Sequence, residues 1–180
     1  MTRPALTFVV EDLPGGAAQR LAEAILRVCA LCAHEPAFSL TRLGAILFDA
    51  DFEAFARRGR PVTGAAYQRQ AAGPAPAELA QQLGALERAG ALRLSHDYAL
   101  GPAECRPIAI RPALLRLFDA EDLAFLDLAA ARPYTTKTRA VWRTREDDDL
   151  IPYEAAWLSD APVSAAEVAR TRALAAVHGW

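Results

Sequence analysis

The sequence predicts a compact, mainly α-helical domain carrying a small β-hairpin. Three observations predict it. Apolar residues recur at three-and-four spacing over 17–33 and again over 40–58. Two short extended runs, 91–95 and 106–111, flank the turn formers His96, Asp97, Gly101 and Pro102. Hydrophobic residues make up 53% and charged residues 23% of the 180 residues, with a net charge of −2, so a core can form and the composition of a disordered chain is excluded. The same charge balance argues against a generally basic, phosphate-coating protein. No repeat and no long linker divides the chain, so 1–180 reads as one domain, with a lead-in at 1–16 that ends on Pro14, Gly15 and Gly16.

The elements follow in order. Leu21, Ile25, Val28 and Cys32 form the apolar stripe of a first helix that Pro36 stops. Ser39 is placed to cap a second helix, running to Arg58 and ended by Gly59. Leu43, Leu47, Ala50 and Ala54 mark one face of it, and Phe48, Phe52 and Phe55 widen that face, which predicts a central helix buried on more than one side. Residues 59–75, rich in Gly and Pro, read as a structured loop with a short helical turn near 65–70. Pro76 opens a third helix with Leu79, Leu83 and Leu86 inside and Gly90 at its end. The hairpin comes next, with a partial strand at 98–100. Pro112 opens a short helix through Phe118, and Asp119 caps another that Pro133 breaks. A charged loop over 139–149 leads to a last helix, whose capping box is Ser164 and Glu167 and which runs to His178. Helix, helix and hairpin suggest winged-helix elements, although the loop before the third helix is far longer than a helix-turn-helix turn.

Chemistry-bearing residues are few. Cys29 and Cys32, with His34 nearby, sit inside an Ala/Leu-rich helix where a zinc knuckle does not form, so they read as core cysteines and no metal or cofactor is expected. Asp49, Asp51 and Glu53 lack a partner histidine and read as a solvated helix face. No nucleophile elbow, phosphate loop or paired metal histidines occur, which disfavours an enzyme acting on a small-molecule substrate. From 54 to 77 the only charged residues are Arg57, Arg58, Arg60 and Arg69. That cluster suits a phosphate or nucleic-acid contact, an acidic partner surface, or the chain's own Glu146–Asp149 run. As a partner surface it carries a corollary: reversing Arg57, Arg58 and Arg60 leaves the thermal melt nearly unchanged. Trp142 and Tyr153 read as core aromatics, and Trp180 as a docked terminus. The N-terminal apolar run stops at Glu11 and Asp12, and no apolar stretch is long enough to span a bilayer, so a cytoplasmic protein is expected.

One ordered set of motifs goes further. Leu47-Phe48-Asp49-Ala50-Asp51 is followed by Gly59-Arg60-Pro61-Val62-Thr63-Gly64, then Tyr67, then Gly73-Pro74, then a helix end and strand over 86–94. Trp142 and Ile151-Pro152-Tyr153-Glu154 come later. Over 40–180 this order resembles the Panacea domain, the SocA-like antitoxin family of bacterial and phage toxin–antitoxin systems, with Ala75-Pro76 standing where the family usually has Val. The resemblance implies a non-enzymatic, mainly helical domain that neutralises a cognate protein toxin by binding it, the toxin being encoded by a neighbouring gene. Arg57, Arg58, Arg60 and Arg69 are then the candidate partner contacts. A DNA-binding regulator using the helix–hairpin region is the alternative.

Overall fold

The structure is a computed structural model that describes residues 13–70, 72–96, 105–133, 150, 151 and 153. Among these residues the order of elements is α1 (Gly16–Leu31), α2 (Leu40–Arg58), β1 (Tyr67–Gln70), β2 (Gly73–Pro76), α3 (Leu79–Arg88), β3 (Leu92–His96), β4 (Cys105–Ala109), a 3-10 turn (Leu115–Leu117), α4 (Ala120–Ala131) and β5 (Leu150–Ile151). This is the mainly α fold with a small hairpin that the sequence predicts. The core is built on α2, which touches α1, α4 and β2. Its residues Leu43, Ile46, Leu47 and Ala54 are wholly buried, and Leu21, Ile25, Leu26 and Val28 of α1 meet them in one apolar cluster. No helix among the described residues is long and apolar enough to cross a membrane.

The ends of the helices are set as their sequences direct. Ser39 has extended backbone and its hydroxyl accepts the Arg42 N–H at 3.3 Å, starting α2. Gly59 ends it at φ 72°, a left-handed conformation that lets its N–H bond the Phe55 carbonyl. Asp119 and Asp122 form a reciprocal capping box at the start of α4. At the other end of α4, Arg42 donates to the carbonyls of Ala130 and Arg132, giving the helix terminus a cation.

Three expectations are corrected. Residues 67–70 are not a helical turn but β1, which pairs antiparallel with β2. Pro76 does not open α3; it lies in β2, and α3 begins at Leu79. Ala75 precedes a proline, which pushes it towards extended backbone, and the Ala77 N–H still bonds Ala66 O at 2.8 Å, so the ladder runs on past the proline. The segment from Pro112 narrows to a three-residue 3-10 turn, and Glu23 takes the Leu114 N–H at 2.8 Å just before it. β5 is an unforeseen third strand. It pairs with β1 in the order β2-β1-β5, setting Tyr67 opposite Ile151. The predicted hairpin is present as β3–β4, from Leu92 opposite Ala109 to His96 opposite Cys105. The lead-in up to residue 12, the partial strand at 98–100, the charged loop at 139–149, Trp142, Pro152, Glu154, Trp180 and the helix from Ser164 all lie outside the described residues.

The helices are tied together by a buried ion pair. Arg20 of α1 donates to Asp122 Oδ2 at 2.7 Å, to the Val62 carbonyl at 2.7 Å and to the Leu117 carbonyl, while its guanidinium lies over the Phe118 ring. Arg58 of α2 takes the other oxygen of Asp122. Removing one member of such a pair leaves a buried charge without its counterpart, which costs roughly 3–5 kcal/mol. Asp122→Leu is therefore expected to lower the melting temperature by roughly ten degrees. Adding Arg20→Met should restore much of the loss, because no charge is then stranded between α1 and α4. Thermal melts of the single and double variants check this.

Candidate functional site

The motif residues meet at one buried carboxylate. Asp51 lies on α2 four residues beyond Leu47, on the face that packs inward, and is fully buried. Its Oδ1 accepts the Thr63 N–H at 2.6 Å, and its Oδ2 accepts the Thr63 hydroxyl and the Tyr67 hydroxyl, the latter at 2.8 Å. The Tyr153 hydroxyl stands 3.3 Å from the same oxygen and donates its single proton to Ala65 O at 2.6 Å. The Thr63 hydroxyl oxygen in turn accepts the Ala65 N–H. Gly59 and Gly64, at φ 72° and 74°, bound the loop that carries Pro61, Val62 and Thr63 back onto α2.

An aromatic cluster encloses these hydrogen bonds. Phe48 and Phe52 stack with ring centres 4.1 Å apart, Tyr67 meets both edge-on at 5.5 Å, and Tyr153 lies 4.9 Å from Phe52 and 5.3 Å from Phe55. Burial raises the Asp51 carboxyl above its ordinary range, against the lowering effect of the Thr63 and Tyr67 bonds. Burial and then the Asp51 charge push the Tyr67 and Tyr153 hydroxyls well up, so both stay protonated as donors. Asp51, Thr63 and Tyr67 are closed off from solvent and bonded to one another, so this cluster fixes backbone.

The acidic residues of α2 are therefore not a solvated face. Asp51 is the buried centre, Glu53 is tied to Arg57 at 2.5 Å and to Arg132, and Asp49 is half-buried. Burial pushes the Asp49 carboxyl up to about 6, opposed by Arg132 and Arg42 and reinforced by Glu53. The apolar stripe itself held the signal for Asp51, because Leu43, Leu47, Asp51 and Ala54 share one side of the helix.

The four candidate arginines stand in different settings. Arg57 runs along α2 to Glu53 and is largely exposed. Arg58 is mostly buried, held by Asp122, by Glu121 at 3.4 Å and by Asp119 at 3.6 Å, and its guanidinium lies 5.2 Å over Phe125. Arg60 bonds Asp119. Arg69 stands on β1 opposite Pro74. Arg58 and Arg60 join α2 and its loop to α4, so reversing Arg57, Arg58 and Arg60 is expected to lower the melt instead of sparing it. Cys29 and Cys32 are buried thiols. Burial raises Cys29 to about 12, and burial followed by the Glu35 charge raises Cys32 to about 11. Among the described residues no group of three or more His, Cys, Asp or Glu side chains is placed to hold a metal.

Beside the buried carboxylate runs an open groove that the sequence did not foretell. α2 supplies Thr41, Ala45 and Asp49, β2 supplies Gly73 to Ala75, and α3 supplies Leu79, Ala80 and Leu83, around a cavity of about 220 Å³. Gly44 lets β2 approach: a Cβ there would lie 3.1 Å from the Ala75 Cβ. Comparison of the chain with known protein families, curated proteins and solved structures gives no match. Fold and site together define a helical domain organised by a buried carboxylate, with an apolar groove at its side.

Asp51→Ala strands three buried donors, each worth about 1–3 kcal/mol when left unpaired, whereas Tyr153→Phe removes one hydrogen bond worth about 1 kcal/mol. Urea unfolding should therefore show a loss of at least about 3 kcal/mol for the first variant and about 1 for the second. Asp49 acts in the opposite sense. Its folded pKa of about 6 lies above its ordinary value of 3.8, so the folded state takes up the proton first. Its contribution to stability grows as pH falls through 6 and levels off near 3.8; above pH 6 the half-buried charge is a steady cost. Asp49→Asn should raise the melting temperature at pH 7, with the advantage shrinking in melts taken towards pH 4.

Proposed function

We propose that the chain is a non-enzymatic antitoxin of the Panacea type, which neutralises a cognate protein toxin by direct binding in the cytoplasm and uses no cofactor. One observation carries the reading. The residues behind the family resemblance are scattered over a hundred positions of sequence, yet Asp51, Thr63, Tyr67 and Tyr153 meet at one carboxylate, with Gly59 and Gly64 shaping the loop and Ile151 paired to Tyr67. A cluster whose carboxylate and hydroxyls are consumed by each other is a scaffold, which favours binding over catalysis as the use of the fold.

The DNA-binding alternative uses the helix–hairpin region, with the arginine cluster as a candidate phosphate contact beside it. Arg57, Arg58 and Arg60 are engaged by Glu53, Asp119, Glu121 and Asp122, and cations already neutralised by carboxylates offer little to phosphates. The test is co-expression with the product of the neighbouring gene. The wild-type chain is expected to restore growth and to co-purify with that product. Absence of both rescue and co-purification removes the antitoxin reading, and duplex-DNA binding that falls steeply with salt would install the alternative.

A further inference from the structure

The groove beside α2 has the chemistry of a recognition site. Among the described residues that line it Asp49 is the only charged one, and it has no hydrogen-bond or ion-pair partner among the described residues. The charges that act on it, Arg132, Arg42 and Glu53, are already committed: Arg132 to Glu53, and Arg42 to Glu35 and to the last carbonyls of α4. A half-buried carboxylate with no partner among the described residues works against the fold, and such a cost is most readily understood where the charge has an external use.

The walls restrict what can lie there. Ala77 N–H bonds Ala66 O, and hydrogen-bonded pairs alternate along an antiparallel ladder, so Pro74 and Pro76 occupy the positions whose N–H would point away from β1. Both being proline, the outer edge of β2 carries acceptors and no donors. A partner strand cannot add to such an edge. The cavity, about 220 Å³, is also smaller than the roughly 300–1,000 Å³ of small-molecule and cofactor pockets. What remains is a set of side chains delivered by a helix into the channel between α2 and α3.

We infer that the α2–β2–α3 groove receives an amphipathic helix of the protein partner, one that sets a lysine or arginine among apolar residues so that the cation meets Asp49 while its apolar neighbours cover Ala45, Ala75 and Leu83. The charge that the described lining residues carry is negative, and apart from Thr41 and Gln70 the other lining side chains are apolar, which is the complement of a basic amphipathic helix. The identity of that partner as a toxin rests on the antitoxin reading; the chemistry of the groove does not.

The experiment uses the full-length chain and two probes. The first is a display library of helical peptides with apolar residues fixed at i, i+4 and i+7 and the intervening positions randomised. Peptides recovered on the wild type are expected to be enriched in Lys and Arg beside the apolar stripe. They should bind Asp49→Asn about tenfold more weakly and Ala45→Trp, which fills the groove, more weakly still. Asp49→Asn removes only the charge and is expected to fold, so it keeps the test decisive if Ala45→Trp does not. Recovery of no peptide, absence of a basic preference, or binding indifferent to Asp49→Asn overturns the groove assignment. So does a dimer of the chain that Ala45→Trp dissolves, which would make a second copy the occupant.

The second probe is the neighbouring gene product, whose affinity should fall with Asp49→Asn. If it binds the wild type and the variant equally, the groove assignment is overturned and the antitoxin reading survives. If it fails to bind the wild type while the peptides behave as expected, the groove stands as a basic-helix site and the antitoxin reading falls.

Discussion

A single carboxylate holds the three-stranded sheet of this molecule and the loop before it in place. Asp51 sits where an apolar side chain is expected, on the inward face of α2, and burying a charge there is costly unless donors surround it. Thr63 and Tyr67 provide them, and in doing so they fix the loop after α2 and the first residue of β1. Everything built on β1 inherits that position: β2 on one side, β5 on the other, and the groove whose wall β2 forms. A loop held only by apolar contact could slide along α2. One held by directional hydrogen bonds to a fixed carboxylate has a single register.

The helices have a counterpart in Asp122. It accepts from Arg20 of α1 and Arg58 of α2 while capping its own helix, so three helices share one acceptor. Two arginines against one acid leave positive charge over, and Asp119 and Glu121 at the start of α4 absorb it. The helix N-terminus favours that grouping of acids independently. Most of the arginine near α2 is thereby turned towards the chain itself, and the outward surface is less basic than the sequence between 54 and 77 suggests.

Helix existence was legible because it depends on local pattern. Ser39, Gly59, Asp119 and the three-and-four stripes placed α1, α2 and α4 close to where they stand. The β1–β2 hairpin was not legible, because Gly and Pro punctuate a loop and a short strand alike; only the pairing with β5 and the pull of Asp51 on Tyr67 decide for strand. Pro76 looked like a helix start because its missing N–H suits a first turn as well as a free sheet edge. The site divided the same way. Gly59, Gly64, Tyr67 and Tyr153 stood out as motif positions, but the carboxylate that joins them was read as solvated, since it was grouped with its acidic neighbours Asp49 and Glu53 instead of with the stripe of Leu43 and Leu47. The groove needed three elements in their final places before it existed at all.

The placement of β5 has a consequence for how the molecule is made. β2 follows β1 almost at once in the chain, but β5 arrives only after α3, the second hairpin and α4 have been synthesised. Domains form from the N-terminus as the chain emerges from the ribosome. For the whole of that interval one edge of β1 is open and Tyr153 is not yet available to Ala65 and to the rings of Phe52 and Phe55. A nascent chain that pauses before residue 150 therefore displays a bare strand edge beside an uncovered aromatic surface, the combination on which chains pair with each other instead of with themselves. Among the described residues this two-residue strand is the last element to arrive, and until it does the stretch of translation after α4 leaves the edge of β1 in need of protection.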